Sequence, residues 1–216
     1  MTARGERMRG RARALRARLA SRNEAGRATA YWRSLPDYHL SSDDPIAIER
    51  SRWIADTLVP ELGIGSILEL GTNNGRNLAV VKESRPEVRA AGIDINEAAL
   101  QQASQRGLDV DFRLQDVNEW DDSANSWDAI LTMSVLDHIP DEAVEALAPK
   151  IAHSGRHVIA VELWTGEHRE TALYKYSRDT KALFERHGAR TLRWELSPGQ
   201  YDPDHSPLWL YVGAFD

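Results

Sequence analysis

Seven consecutive residues, Glu69-Leu70-Gly71-Thr72-Asn73-Asn74-Gly75, end a short apolar run that begins at Ser66. Two glycines with three residues between them let a strand turn sharply into a helix, and let a ligand lie against bare backbone. Asp94 follows Gly75 by 19 residues, at the end of a second apolar run. A carboxylate in that place accepts both hydroxyls of a ribose. A dinucleotide site needs G-x-G-x-x-G, so that a helix N-terminus can seat a pyrophosphate. Here the spacing is G-x-x-x-G, and Glu69 just ahead of the turn would repel a pyrophosphate. An acid there suits a ligand carrying an amino group and a sulfonium, which is the chemistry of S-adenosylmethionine and not of NAD.

Residues that act at strand ends need a sheet to hold them. From Ser66 the sequence alternates apolar runs (66–70, 88–93, 110–114, 127–133 and 157–163) with helical stretches (75–84, 97–106 and 141–152). Strands separated by helices imply right-handed crossovers and a mostly parallel sheet covered on both faces. A helix over 177–187 follows, then strands 189–196 and 208–214, joined by a loop over 197–207 and most simply antiparallel. The predicted fold is therefore α/β: a Rossmann-like three-layer sandwich with a seven-stranded, mostly parallel sheet whose last strand is antiparallel. Ahead of it, Ser42-Asp43-Asp44-Pro45 predicts a helix start. That helix is expected to run to about Val59, where Pro60 makes continuation costly, and to bury Ile46, Trp53, Ile54 and Leu58.

In this setting the chain resembles the class I S-adenosylmethionine-dependent methyltransferases, over roughly residues 47–216. The family's first motif matches Glu69 to Gly75, its acidic end of strand two matches Asp94, and its loop after strand three matches Leu114-Gln115-Asp116-Val117. Its segment after strand four matches Ser134-Val135-Leu136-Asp137-His138-Ile139-Pro140-Asp141. The closing helix, strand, loop and strand match loosely. The resemblance implies a donor site made by Glu69, Gly71, Thr72, Asn73, Asn74, Gly75, Asn77, Asp94, Ile95, Gln115, Asp116, Val117 and Ser134. It also implies that Asp116 meets the adenine amine. Departures carry information too. The family's usual middle glycine is Asn73, and no Asn/Asp-Pro-Pro-aromatic follows strand four, unlike enzymes that methylate nucleobase or glutamine amino groups. Some relatives hold a divalent metal with Glu-x-x-Glu-His after strand four; here those slots read Ser134, Asp137 and His138, one ligand short, so no metal is expected.

Oxygen and protonated nitrogen acceptors must lose a proton, and His138 and His205 are the candidate general bases, since imidazole titrates near neutral pH. His138 also reads as a helix-start residue packed under the sheet edge. Tyr201, Asp202, Asp204 and His205 lie in the last loop, where the family often builds its substrate wall. Tyr31, Trp32, Tyr38 and His39 could form a lid over the donor.

Composition narrows the remaining choices. Zero cysteine removes thiol nucleophiles, zinc ribbons, iron–sulfur clusters and a cytosine C5 methyltransferase, which needs a thiol. No stretch approaches a membrane span, and the expected location is cytoplasmic. The net charge of -6 hides an asymmetry: residues 1–33 carry ten arginines and two glutamates, leaving -14 for the rest. The organisation read from this is an Arg-rich arm and aromatic lid segment over 1–40, followed by the methyltransferase domain over 41–216. An arm of this kind can touch an anionic surface, lipid or nucleic acid, or can be a solvated tail. An acidic body repels a nucleic-acid backbone, so the expected acceptor is a small molecule. The rival readings are a nucleic-acid methyltransferase gripping through the arm, and an S-adenosylmethionine-binding module without catalysis. The oligomeric state is not legible.

Overall fold

The structure, a computed structural model, describes residues 24–35, 44–121 and 127–215. The Arg-rich stretch 1–23, the lid candidates Tyr38 and His39, and Ser42 and Asp43 of the helix-start cluster lie outside the described residues. Residues 24–33 form a first helix, α1.

Asp44 caps the next helix, its side chain accepting from the Ile46 N–H at 2.9 Å, with Pro45 in the first turn. Pro45 is well placed there because its missing N–H has no partner to lose. This α2 (Pro45–Trp53) passes through a π-helical turn (Ile54–Leu58) into α3 (Val59–Glu61). Contrary to the expectation from sequence, Pro60 therefore does not stop the chain's helical course at Val59. In the wider turn the Val59 N–H reaches back to the Ile54 carbonyl, and Pro60 enters as an early residue of a new short helix. Ile54 and Leu58 are buried as expected, whereas Ile46 and Trp53 are only partly covered.

The sheet then builds in alternation: β1 (Ser66–Leu70), α4 (Arg76–Ser84), β2 (Arg89–Asp94), α5 (Glu97–Gln105), β3 (Asp111–Leu114) and β4 (Trp127–Met133). A 3₁₀ turn (Leu136–His138), α6 (Asp141–Ser154) and β5 (Gly155–Leu163) follow. A hairpin comes next, β6 (Arg169–Ala172) and β7 (Lys175–Ser177), then α7 (Thr180–Arg186), β8 (Arg190–Leu196) and β9 (Leu208–Ala214). Strand order is β3-β2-β1-β4-β5-β9-β8. The five strands from β3 to β5 are mutually parallel, and β9 is inserted antiparallel between β5 and the edge strand β8. This is the predicted seven-stranded architecture. The β6–β7 hairpin was not foreseen; it occupies the connection between β5 and α7 as a separate antiparallel pair.

Strand alternation sends successive side chains to opposite faces and so makes two cores. Leu68 and Leu70 of β1 pack with Ile130, Val144, Leu147, Ile151 and Phe184, beneath α6 and α7. Ile67 packs on the other face with Ile54, Leu58, Leu78, Val81 and Ile159, beneath α2 and α4. Each such Leu or Ile contributes about 1.5–3 kcal/mol on burial, so both faces are firmly held. Glu69 lies on the Ile67 face, a carboxylate in a strand buried along its whole length.

Candidate functional site

The carboxyl ends of β1, β2, β3 and β4 open onto one cavity of about 540 Å³, a size in the usual range for small-ligand sites. Gly71 begins the first wall. Its φ of +70° lies in the left-handed region, and its N–H and that of Thr72 both bond the Ile93 carbonyl. A Cβ at Gly71 would sit 2.3 Å from a Val135 methyl, so no other residue fits unchanged. Asn73 also turns left-handed, at φ +51°, a conformation that Asn adopts more readily than most residues, and its N–H bonds Asp94. Gly75, at φ +74°, precedes α4, and a Cβ there would meet the Phe112 ring at 2.8 Å.

Glu69, 1% exposed, accepts from the Thr72 hydroxyl at 2.7 Å and from the Asn77 amide. Burial pushes its carboxyl up to about 7, against the opposing pull of those two donors and of Arg76. Asp94 accepts from the Asn73 N–H at 2.7 Å and the Asn96 N–H at 2.8 Å. Burial raises Asp94 as well, and those backbone donors oppose the rise. Asp116 accepts twice from Asn118, through backbone and side-chain amide at 2.8 Å each, and once from the Thr29 hydroxyl of α1 at 3.0 Å. The side-chain oxygens of Asn73, Asn74 and Asn118 are buried without a hydrogen bond among the described residues. Orphaned acceptors beside a glycine turn fit a ligand that brings its own N–H groups.

At β4, Ser134 adopts φ +51° and is pinned by its N–H to the Val161 carbonyl. The 3₁₀ turn then presents His138. Its Nδ1 lies 3.3 Å from the Tyr174 carbonyl, its Nε2 lies 3.6 Å from Asp137 Oδ1, and its ring lies 4.0 Å from the Trp32 ring. A carbonyl can only accept, so Nδ1 must carry the hydrogen and a neutral ring keeps its lone pair on Nε2. Behind it, Glu162 accepts from the Val135 and Asp137 N–H groups at 3.1 and 3.2 Å. Burial and the adjacent Asp137 raise Glu162 well above the usual carboxylate range.

The cavity thus brings together Glu69, Gly71, Thr72, Asn73, Asn74 and Asn77 from the first motif, Asp94 and Ile95, Asp116 and Val117, and Ser134 with His138. Three residues expected at the site are not on its wall. Gly75 shapes the turn from behind. Gln115 continues the β2–β3 pairing through its N–H to the Asp94 carbonyl. His205 sits on the exposed final loop, its side chain 83% accessible and paired with Asp202 at 3.0 Å. Tyr201 of the same loop does line the cavity, its hydroxyl on Asp44 at 2.9 Å.

Several wall residues escape a reading by motif. Arg50, 4% exposed, donates to the Gly199 and Pro198 carbonyls, and burial together with Arg76 lowers its pKa to about 10. Arg76 meets Ser51 and Asn77, and both guanidiniums reach the Met133 sulfur. Nothing in a helical repeat marks Arg50 as inward-facing, although Arg76 directly follows Gly75. From α1 come Ala25, Ala28, Thr29 and Trp32, and from the hairpin Lys175. Tyr31 packs against Tyr174 at 5.6 Å, and the Tyr176 hydroxyl donates to Glu24.

Residues 67–162 match a family model described as a methyltransferase domain. No curated protein matches the chain. Among solved structures, 1,6-didemethyltoxoflavin-N1-methyltransferase of Burkholderia thailandensis, with its substrate and S-adenosylhomocysteine bound, is 19% identical. That match covers 89% of this chain and 91% of that one at a TM-score of 0.70. Magnesium protoporphyrin IX methyltransferase of Synechocystis PCC 6803, with bound S-adenosylmethionine, is 14% identical over 89% of this chain and 97% of that one, at 0.66. Mitomycin 7-O-methyltransferase is 18% identical over 83% of this chain and 60% of that one, at 0.62. At such identities the likeness is one of fold.

Proposed function

We propose that this chain, which carries a class I S-adenosylmethionine-dependent methyltransferase domain and is an enzyme of that kind, methylates an oxygen or nitrogen of a small molecule. The observation that carries the reading is that one cavity holds both a donor wall and His138. The three structural relatives named above are named for small-molecule acceptors, which supports the same choice. S-adenosylmethionine supplies an electrophilic methyl on a sulfonium when it is bound. Glu69 would take its amino group, Arg50 and Arg76 its carboxylate, Asp94 its ribose hydroxyls, and Asp116 with Asn118 its adenine.

Methyl transfer is an in-line displacement whose leaving group needs no proton. The chain's task is to hold an acceptor about 3–3.5 Å from the methyl along the S–C axis. Trp32 of α1 covers His138 and helps exclude water at that point. His138 Nε2 removes the acceptor's proton, with the Tyr174 carbonyl fixing the tautomer and Asp137 beside the imidazolium that results. Residues 24–33 serve as the lid segment, pinned by Thr29 to Asp116.

The test is thermal unfolding with saturating S-adenosylhomocysteine, NAD being the control. At about 100 times the dissociation constant, binding adds roughly 2.7 kcal/mol, which raises the melting temperature of a domain this size by about 5–10 °C. The shift should vanish in Asp94→Ala. A shift with NAD and none with S-adenosylhomocysteine would refute the reading.

A further inference from the structure

Three cationic side chains reach the cavity wall: Arg50, Arg76 and Lys175. The two arginines are engaged by backbone carbonyls, Ser51, Asn77 and a sulfur. Lys175 differs. It is half-buried at the start of β7, and among the described residues its ammonium makes no hydrogen bond and no ion pair. Among the described residues, none of the carboxylates of its own corner pairs with it. Glu170 accepts the Tyr174 N–H, Glu24 accepts the Tyr176 hydroxyl, and Asp141 holds Arg178 and His168. The carboxylates on the cavity wall, Glu69, Asp94 and Asp116, belong to the ends of β1 and β2 and the loop after β3, where the donor is read to bind.

The location of Lys175 matters as much as its charge. Its neighbour Tyr174 supplies the carbonyl that orients His138, and Trp32 covers the same imidazole. An anion held by Lys175 therefore sits on the acceptor side, close to the proton that His138 is placed to remove. Partly desolvated ammonium groups gain most from a charged partner, because water no longer competes fully for them.

Building on the proposed methyltransferase function, we infer that the acceptor is an acid: a small molecule whose carboxylate pairs with Lys175 while its hydroxyl or amine faces His138. Lys175 is then a specificity-determining residue of the acceptor site, and the β6–β7 hairpin is the element that carries this choice.

The test measures binding of matched probes to the protein saturated with S-adenosylhomocysteine: catechol against protocatechuate, and aniline against anthranilate. The acid of at least one pair should bind about 10- to 100-fold tighter than its uncharged partner, the span expected for a charge-assisted contact. Lys175→Met should erase the preference while leaving S-adenosylhomocysteine affinity within about two-fold, and Lys175→Arg should keep most of it. Equal binding within both pairs, a preference that survives Lys175→Met, or no binding of either acid at about 10 mM would overturn the inference. Those outcomes, with S-adenosylhomocysteine still bound, leave the methyltransferase reading standing. Failure of the wild-type protein to bind S-adenosylhomocysteine strikes that reading itself.

Discussion

The two sides of the cavity are built on different principles. The wall proposed for the donor is built around backbone: Gly71, Asn73 and Gly75 set one turn, and Asp94 accepts from the Asn73 and Asn96 N–H groups. The wall proposed for the acceptor is assembled from distant segments, with Trp32 from α1, His138 after β4, and Tyr174 and Lys175 from the hairpin. A ligand common to many enzymes can be held by a fixed loop. A ligand particular to one enzyme needs parts that vary without disturbing the sheet, and connections between elements are such parts.

This contrast predicts that damage on each side reads out differently. The largest effect is expected from His138→Asn, which should lower kcat by about 10²–10⁴ for acceptors that lose a proton. Affinity for S-adenosylhomocysteine should stay within about two-fold by titration calorimetry, and a large loss there would merge the two sides into one. Gly71→Ala should act first on the proposed donor wall. Left-handed strain plus the collision with Val135 are together expected to cost about 2–5 kcal/mol in chemical denaturation and to abolish S-adenosylhomocysteine binding. Gly107 is its control. It has φ +67° but open space around a Cβ, so Gly107→Ala should cost only about 1–2 kcal/mol and leave binding intact.

A third effect is a pH dependence confined to the donor. Glu69 is held up to about 7 by burial, so below that pH it is protonated in the free protein. A ligand amino group favours the charged carboxylate, and binding at low pH must therefore expel a proton. Affinity for S-adenosylhomocysteine should be flat above about pH 7 and weaken by up to roughly tenfold per unit below it. Glu69→Gln should flatten the curve; an unchanged slope in that variant would assign the dependence to another group. The smallest effect is expected from His205→Ala. Removing an exposed imidazole paired with Asp202 should change kcat and KM by less than about two-fold.

Legibility follows the same division. The glycine turn after β1 could be read because its conditions are local: a glycine is needed where φ is positive, and an acid must follow a strand at the right distance. The π-helical turn at Ile54–Leu58 was not legible, since Pro60 is ordinarily a stop and only the packing of Ile54, Leu58 and Val59 against the sheet favours carrying on. Arg50 could not be picked out either. Its partners are carbonyls nearly 150 residues later in the chain, and no spacing announces such a meeting. The β6–β7 hairpin pairs an exposed four-residue strand with one of three residues, and its apolar pattern is too short to read.

By itself, the sequence determined the layered α/β class, the mostly parallel sheet and the strand-end turn that brings Glu69, Gly71 and Asp94 to one cavity, because these depend on alternation and on turn chemistry between neighbours. Only the tertiary structure decided that α1 and the hairpin meet over His138, that Arg50 and Arg76 converge at Met133, and that Lys175 is left without a partner among the described residues. Those are contacts between segments far apart in the chain. They follow from the way the sheet stacks its connections side by side at one end, which no local pattern encodes.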